Sequence, residues 1–336
     1  MHIPSIRVYN EMRSEEASLW YLPANGGEEL AFLIKAPTSS IKALMAGCPL
    51  KLVFGKKDSY LCVGVRILDM PDAPIFISGL QREPEEHGAL TLALRERGFP
   101  LFLFNEMDVC LAWTNVELTE EDSCYVQQLI GQESQLYAGS FTAEASHALD
   151  CFCFSVDNMN MYLNAHVIPT AEIPAALELW RTNHVSFIGV RGVHTIAIDE
   201  KDEGEIFERA IWASLESLFP LTLHKSPHVR DGTKMRELTD VLSFYSYGSF
   251  LIEAKDLSVL NAGYYRDQER RTKGVQKQVK KAIGQLVGAA KAFSRGDPIF
   301  DASGKELYVN RKKPPHCIVL ITELMYWGDW SETETQ

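Results

Sequence analysis

Long apolar runs are missing from this 336-residue chain. No stretch approaches the roughly 20 residues that a membrane-spanning helix needs. The start, Met1-His2-Ile3-Pro4-Ser5, has no basic-then-apolar signal pattern. A cytoplasmic protein with no membrane partner is expected. Paired cysteines are missing as well. Cys48, Cys62, Cys110, Cys124, Cys151, Cys153 and Cys317 are scattered, and only Cys151-Phe152-Cys153 is close. No second pair stands at zinc-ligand spacing, so the ligand count for zinc is short. Strand alternation puts both of these thiols on one face, as two reduced core residues. Also absent are the Gly-x-x-x-x-Gly-Lys-Ser/Thr and Gly-x-Gly-x-x-Gly loops, the Gly-x-Ser-x-Gly elbow and the His-Glu-x-x-His pair. Their absence argues against a P-loop ATPase, a dinucleotide enzyme, an elbow-type serine hydrolase and a zinc peptidase.

What is present is an ordinary globular composition, 46% apolar and 23% charged, long enough for two domains. The net charge of −12 argues against a protein that coats nucleic acid non-specifically. The charge is uneven, however. Lys255 to Lys313 holds 14 Lys and Arg against 6 Asp and Glu, which leaves −20 on the remainder. That basic stretch is either a phosphate-facing surface or a solvated helix face.

Residues 1–155 read as a β-rich module, a sandwich or half-barrel with a few helices. Strand runs fall at Leu30–Ile34, Leu50–Phe54, Tyr60–Ile67, Ile75–Ile77, Leu101–Phe104 and Val109–Trp113, with a helix over Gly88–Gly98. Residues 156–198 read as a connecting layer. Around it, Cys151–Val156 and Met161–Ala165 look strand-like, Thr170–Arg181 looks helical, and a hairpin turns at Arg191-Gly192. An acidic linker, Asp199–Gly204, opens a third segment, 199–325, before a tail at 326–336. In that segment a helix over Glu205–Phe219 carries Phe207, Ile211, Leu215 and Leu218 on one stripe. Strands Asp240–Ser246 and Ser249–Lys255 follow. A long helix, Lys273–Ser294, turns Val275, Val279, Ala282, Leu286, Ala290 and Phe293 inward. A small hairpin around Ala302–Lys305 comes next, and then an apolar run, Cys317–Ile321, with the look of a strand buried on both faces. The fold class is mixed: a β-rich N-terminal part and a C-terminal αβββαβ core.

Glu253-Ala254-Lys255 ends an apolar strand, with Asp240 thirteen positions upstream across a tight turn. Strand alternation puts Glu253 and Lys255 on one face. A two-residue turn at Ser246-Tyr247 opposes Asp240 to Glu253, and one at Tyr247-Gly248 opposes it to Lys255. Either register puts Asp240 on that face, with opposed Cβ atoms ~4.5–5.5 Å apart. Two such carboxylates repel unless a cation lies between them. Hard oxygen donors suit Mg²⁺ or Mn²⁺, so Asp240 and Glu253 are metal-ligand candidates and Lys255 a partner for charge on a phosphoryl group. A cross-strand ion pair is the plainer alternative. Glu237 is a rival acid, on the opposite face if the strand extends back to it, and Asp199-Glu200-Lys201 is a rival acid-x-Lys strand end.

With Glu208 in Ile206-Phe207-Glu208-Arg209, Asp240-Val241-Leu242, Leu251–Lys255 and Ala282–Leu286, the segment 200–325 resembles the restriction-endonuclease-like PD-(D/E)xK nucleases. The resemblance implies Asp240, Glu253 and Lys255 as the metal and catalytic set. It adds Glu208 as an extra acid and Gln285 as a phosphate or water contact. Gln285 also shares a helix face with Gln278 and Lys281. Thr239 stands where the family often has proline. The implied activity is Mg²⁺-dependent cleavage of nucleic acid, DNA foremost, by a homo-oligomer. The chain also resembles restriction and antiphage-defence effectors of prokaryotes, which join such a core to an unrelated module. Tyr265, Arg266, Arg270, Lys273, Lys277 and Lys281 are the candidate nucleic-acid contacts, and Tyr264-Tyr265 could stack on bases. The N-terminal part would bind a protein partner or trigger. The competing reading is a non-catalytic interaction protein on a nuclease-like scaffold.

Overall fold

The computed structural model describes residues 5–157, 164–190, 192–198, 203–255 and 267–321. The chain forms two compact units, divided between Asn183 and His184. No helix among the described residues is long and apolar enough to cross a membrane.

The first unit contains, in order, α1 (Ile6–Ser14), β1 (Ser18–Ala24), β2 (Glu29–Lys35), α2 (Thr38–Met45), β3 (Leu50–Lys57), β4 (Tyr60–Ile67), β5 (Ile75–Gln81) and α3 (Pro84–Glu96). It continues with β6 (Gly98–Phe104), β7 (Cys110–Glu117), α4 (Glu120–Ile130), α5 (Ala143–Asp157), β8 (Thr170–Leu177) and β9 (Arg181–Thr182). One sheet runs β1-β2-β6-β7-β8-β3-β4-β5, with β9 also on β7. β8 joins its halves, pairing with β3 through Thr170–Ala175 and with β7 at Ala176 and Leu177. Tyr21, Phe32, Phe54 and Phe99 meet in the core, Tyr21 stacked on Phe32 at 4.2 Å.

Two expectations fail in this unit. Thr170–Leu177 is a strand, not a helix. Pro174 removes a helical donor and crowds the preceding turn, and partners on both sides override the helix-forming Ala-Ala-Leu run. Cys151–Val156 belongs to helix α5, not a strand. Thr142 starts that helix by accepting the Ala145 N–H at 3.2 Å. Ala145, Ala148, Cys151 and Phe152 then recur at helical spacing and are buried. Of the strand expected over Met161–Ala165, 161–163 lie outside the described residues, and Asn164 and Ala165 are not in a strand.

The second unit opens with the hairpin β10 (His184–Ile188) and β11 (Val193–Ala197), which packs on α6 (Glu203–Glu216). Thus the expected connecting layer is shared out: β8 and β9 complete the first sheet, and the hairpin belongs to the second unit. The acidic linker lies partly outside the described residues, and α6 already begins at Glu203. Next come β12 (Leu223–Lys225), β13 (His228–Asp231), β14 (Lys234–Glu237), β15 (Val241–Tyr245), β16 (Gly248–Lys255), α7 (Gln268–Arg295), β17 (Ile299–Phe300) and β18 (His316–Ile321). The main sheet runs β12-β15-β16-β18, and a small sheet runs β14-β13-β17.

Both faces of the main sheet are covered. Val241, Ile252 and Ala254 pack with Ile211 and Leu215 of α6. Leu242 and Leu251 pack with Leu286, Ala289, Ala292 and Phe293 of α7. Each large side chain so buried contributes ~1.5–3 kcal/mol. The longest helix is α7. Asp267 caps its N-terminus by accepting the Arg270 N–H at 2.8 Å, and Gly296 ends it in the left-handed region at φ 83°. β18 pairs in parallel with β16, α7 forming the crossover. Two details differ from expectation. β18 is an edge strand, half-buried from Ile318 on and exposed at Cys317, because no strand lies beyond it among the described residues. Leu218 is 69% exposed, since α6 has ended at Glu216.

Candidate active site

β15 and β16 form a hairpin whose two-residue turn is Ser246-Tyr247. Tyr245 pairs with Gly248 and Val241 with Ile252. Continued by one residue, that register opposes Asp240 to Glu253, the first of the two alternatives. Because Leu242 and Leu251 face α7, alternation puts Asp240, Glu253 and Lys255 on the α7 face as well. β16 is central, with β15 on one side and β18 on the other. The three charged groups therefore sit in the interior of a sheet rather than on a solvated ribbon.

Neighbouring bonds fix their positions. The Ala254 N–H donates to Asp240 Oδ2 at 2.6 Å. The Asp240 carbonyl accepts from Ser226 N at 2.8 Å. Thr239 donates its hydroxyl to the Ile252 carbonyl at 2.7 Å and ties the strand entry to β16. Lys255 Nζ donates to Glu253 Oε2 at 3.0 Å and to Asp240 Oδ2 at 3.3 Å. Glu253 is 1% exposed and Asp240 7%.

The electrostatics follow from that crowding. Burial pushes the Glu253 carboxyl up to about 7. The Lys255 hydrogen bond works against that rise. The charge of Asp240, and a hydrogen bond to it from protonated Glu253, add to it. Burial alone would lower the Lys255 ammonium, but the bond to Glu253 and the charges of both acids outweigh it and hold it above its ordinary value. Lys255 is therefore a fixed cation at neutral pH, a donor rather than a base. Glu208, on α6, is half-buried. Burial, and then the charge of Asp240, raise its carboxyl, offset in part by Lys225 at 3.7 Å. It lies within electrostatic reach of the trio, without a hydrogen bond to it among the described residues.

Gln285 is exposed on α7 and makes no hydrogen bond to the trio among the described residues. Arg270, Lys273, Lys277 and Lys281 are exposed along the same helix. Arg270 pairs with Asp267 at 3.6 Å, and Lys273 pairs with Glu269. Tyr264, Tyr265 and Arg266 lie outside the described residues, as does the rival Asp199-Glu200-Lys201. The other rival, Glu237, ends β14 in the small sheet, and its charge still contributes to raising Glu208. Sequence reasoning passed over Lys225 and the hydroxyl of Thr239. No spacing signals Lys225, because β12 reaches β15 only through tertiary pairing.

No protein-family model, curated protein or solved structure matches the chain. The chemistry of this corner therefore rests on its own geometry. Two carboxyl groups, one of them (Glu253) pushed up to about 7, meet beside a fixed ammonium at the end of a buried strand.

Proposed function

We propose that the second unit is a metal-dependent phosphodiesterase acting on nucleic acid, DNA foremost. The observation that carries this reading is the meeting of Asp240, Glu253 and Lys255 in the interior of the sheet. In the second unit α6, β12, β15, β16, α7 and β18 follow in αβββαβ order, with the β13–β14 hairpin inserted. That order, with its acidic pair on the second and third strands, supports a PD-(D/E)xK-type core.

The donor set fits Mg²⁺ or Mn²⁺. Both ligand candidates offer hard oxygens, and they converge closely enough that one ammonium, Lys255 Nζ, bonds to both. Asp240 and Glu253 would hold the metal. When bound, it supplies positive charge against a phosphoryl oxygen and a water of lowered pKa. Lys255, a fixed cation, neutralises charge on the phosphoryl oxygens and orients a water by donating to it. The Ala254 N–H holds the Asp240 carboxylate so that its direction does not depend on substrate. Glu208 stands by as a further acid. The exposed cations of α7 offer a track for the phosphate backbone, which makes binding salt-dependent. The reading extends to an effector of DNA restriction or phage defence, acting as a homo-oligomer, with the first unit receiving a partner or trigger.

The test incubates the purified chain with plasmid, linear duplex, single-stranded DNA and RNA, each with Mg²⁺, Mn²⁺ or EDTA. Cleavage is expected with either metal and not with EDTA. It should fall by ~100-fold or more in Glu253→Ala and Lys255→Ala. Cleavage at the parental rate in both variants would overturn the assignment.

A further inference from the structure

The first unit holds a second cluster of ligating side chains, independent of the acidic corner. His147 and Cys151 stand one turn apart on α5 and so share a face. His166 approaches the same sulfur from the segment leading into β8. Cys151 Sγ lies 3.8 Å from His147 Nε2, 3.9 Å from its Nδ1 and 3.7 Å from His166 Nδ1. One donor atom from each residue falls within 4.8 Å of the other two. With metal–sulfur and metal–nitrogen bonds of about 2.3 and 2.0–2.1 Å, a tetrahedral ion separates sulfur from nitrogen by roughly 3.6 Å. Both sulfur–nitrogen separations are already near that value. His147 holds its two nitrogens at nearly equal distance from the sulfur, so its ring must turn to point one of them at an ion.

The surroundings hold the cluster in place. The backbone N–H of His166 donates to Cys151 Sγ at 3.5 Å and draws that segment onto the sulfur. Ser155 donates to the Cys151 carbonyl at 2.7 Å and accepts from Ile168 N at 2.8 Å. The segment carrying His166 is thus laced to α5 on both sides of the sulfur. Burial is graded across the site: Cys151 is buried, His147 half-buried and His166 exposed. Three protein ligands and one open side match a tetrahedral ion whose fourth position belongs to water. One thiolate with two imidazoles selects a borderline-soft ion over Mg²⁺ or Ca²⁺.

We propose that His147, Cys151 and His166 form a Zn²⁺ site in the first unit, with solvent as the fourth ligand, clamping the segment before β8 onto α5. The test titrates the metal-free, reduced full-length chain with Co²⁺ and follows the absorption spectrum. The expected result is a thiolate-to-cobalt charge-transfer band and the intense visible bands of four-coordinate Co²⁺. Both should saturate at one equivalent and be displaced by Zn²⁺. Cys151→Ser should lose the charge-transfer band. His166→Ala, at an exposed position that the fold does not need, should weaken Co²⁺ binding by more than the ~10–100-fold that loss of an outer-shell partner costs. The double variant Asp240→Asn, Glu253→Gln should keep the whole spectrum. An octahedral spectrum without the charge-transfer band would overturn the proposal. So would an unchanged spectrum in a His166→Ala variant whose circular dichroism matches the parent.

Discussion

Glu253 ionises against its burial, the charge of Asp240 and a hydrogen bond to Asp240, and is aided by the hydrogen bond and the charge of Lys255. The balance puts its folded value at about 7, above the ordinary 4.5. Between those values the native state holds a proton that the unfolded chain has released, so stability falls as pH rises across the window and is level above it. Glutamine mimics the protonated acid and does not titrate. In EDTA, Glu253→Gln should match the parent near pH 4.5, exceed it increasingly as pH rises to about 7, and keep that lead above it. At 1.36 kcal/mol per pH unit the gain is bounded by roughly 3 kcal/mol. Urea melts at pH 5 and pH 8 measure it, and a constant difference between them would contradict the account. The meeting of these residues was legible in the chain because hairpin pairing keeps a constant index sum. Either turn put Asp240 on the face of Glu253 and Lys255. The choice between turns was not legible, since Ser246, Tyr247 and Gly248 are all acceptable turn residues. The His147–Cys151–His166 cluster stayed hidden for a different reason. Read as a strand, Cys151 stands two full pleat repeats from His147. On a helix the two are one turn apart.

At the scale of elements, periodicity located most strands of the first unit and both helices that flank the main sheet of the second. It failed where tertiary partners outweighed local preference. β8 carries the helix formers Ala175, Ala176 and Leu177, yet β3 and β7 claim it as a strand. Pro174 was the available warning. α5 carries Phe152 and Phe154 in strand-like alternation, yet its buried positions follow the helical repeat upstream to Ala145. The packing of α5 rests on one glycine. A Cβ at Gly55 of β3 would lie 2.4 Å from Cδ2 of Phe152. That ring is fully buried and packs on Phe76 at 5.7 Å, so it has no free direction in which to move. Gly55→Ala should therefore destabilise the first unit by about 1–3 kcal/mol, the usual cost of overpacking. A thermal melt of the variant checks this, and an unchanged midpoint would show that α5 shifts freely over the sheet.

At the scale of the molecule, the two units have separate cores, separate sheets and opposite chemistry. The first gathers sulfur and imidazole, the second carboxylates and an ammonium. Each unit is of normal domain size, and each covers its own sheet with its own helices. Separate cores imply separate cooperativity, since buried apolar contacts make unfolding all-or-none only within the body that shares them. Fragments 1–183 and 184–336 should each melt as a single transition by circular dichroism. The chemistry should divide with them: the thiolate–cobalt band with 1–183, and metal-dependent cleavage, lost in Glu253→Ala, with 184–336. A fragment 184–336 that folds and does not cleave, beside a full chain that does, would place part of the machinery in the first unit. A fragment that does not fold alone would make the contact division a poor guide to folding. The long helix gives the same division an electrostatic meaning. A chain of net charge −12 repels a phosphate backbone as a whole, and only the stretch from Lys255 to Lys313 reverses the sign. The fragment 184–336 should therefore bind duplex at least as tightly as the full chain at low salt. The gap should close as salt screens both, because the acidic surface and the basic helix act through the same ion atmosphere.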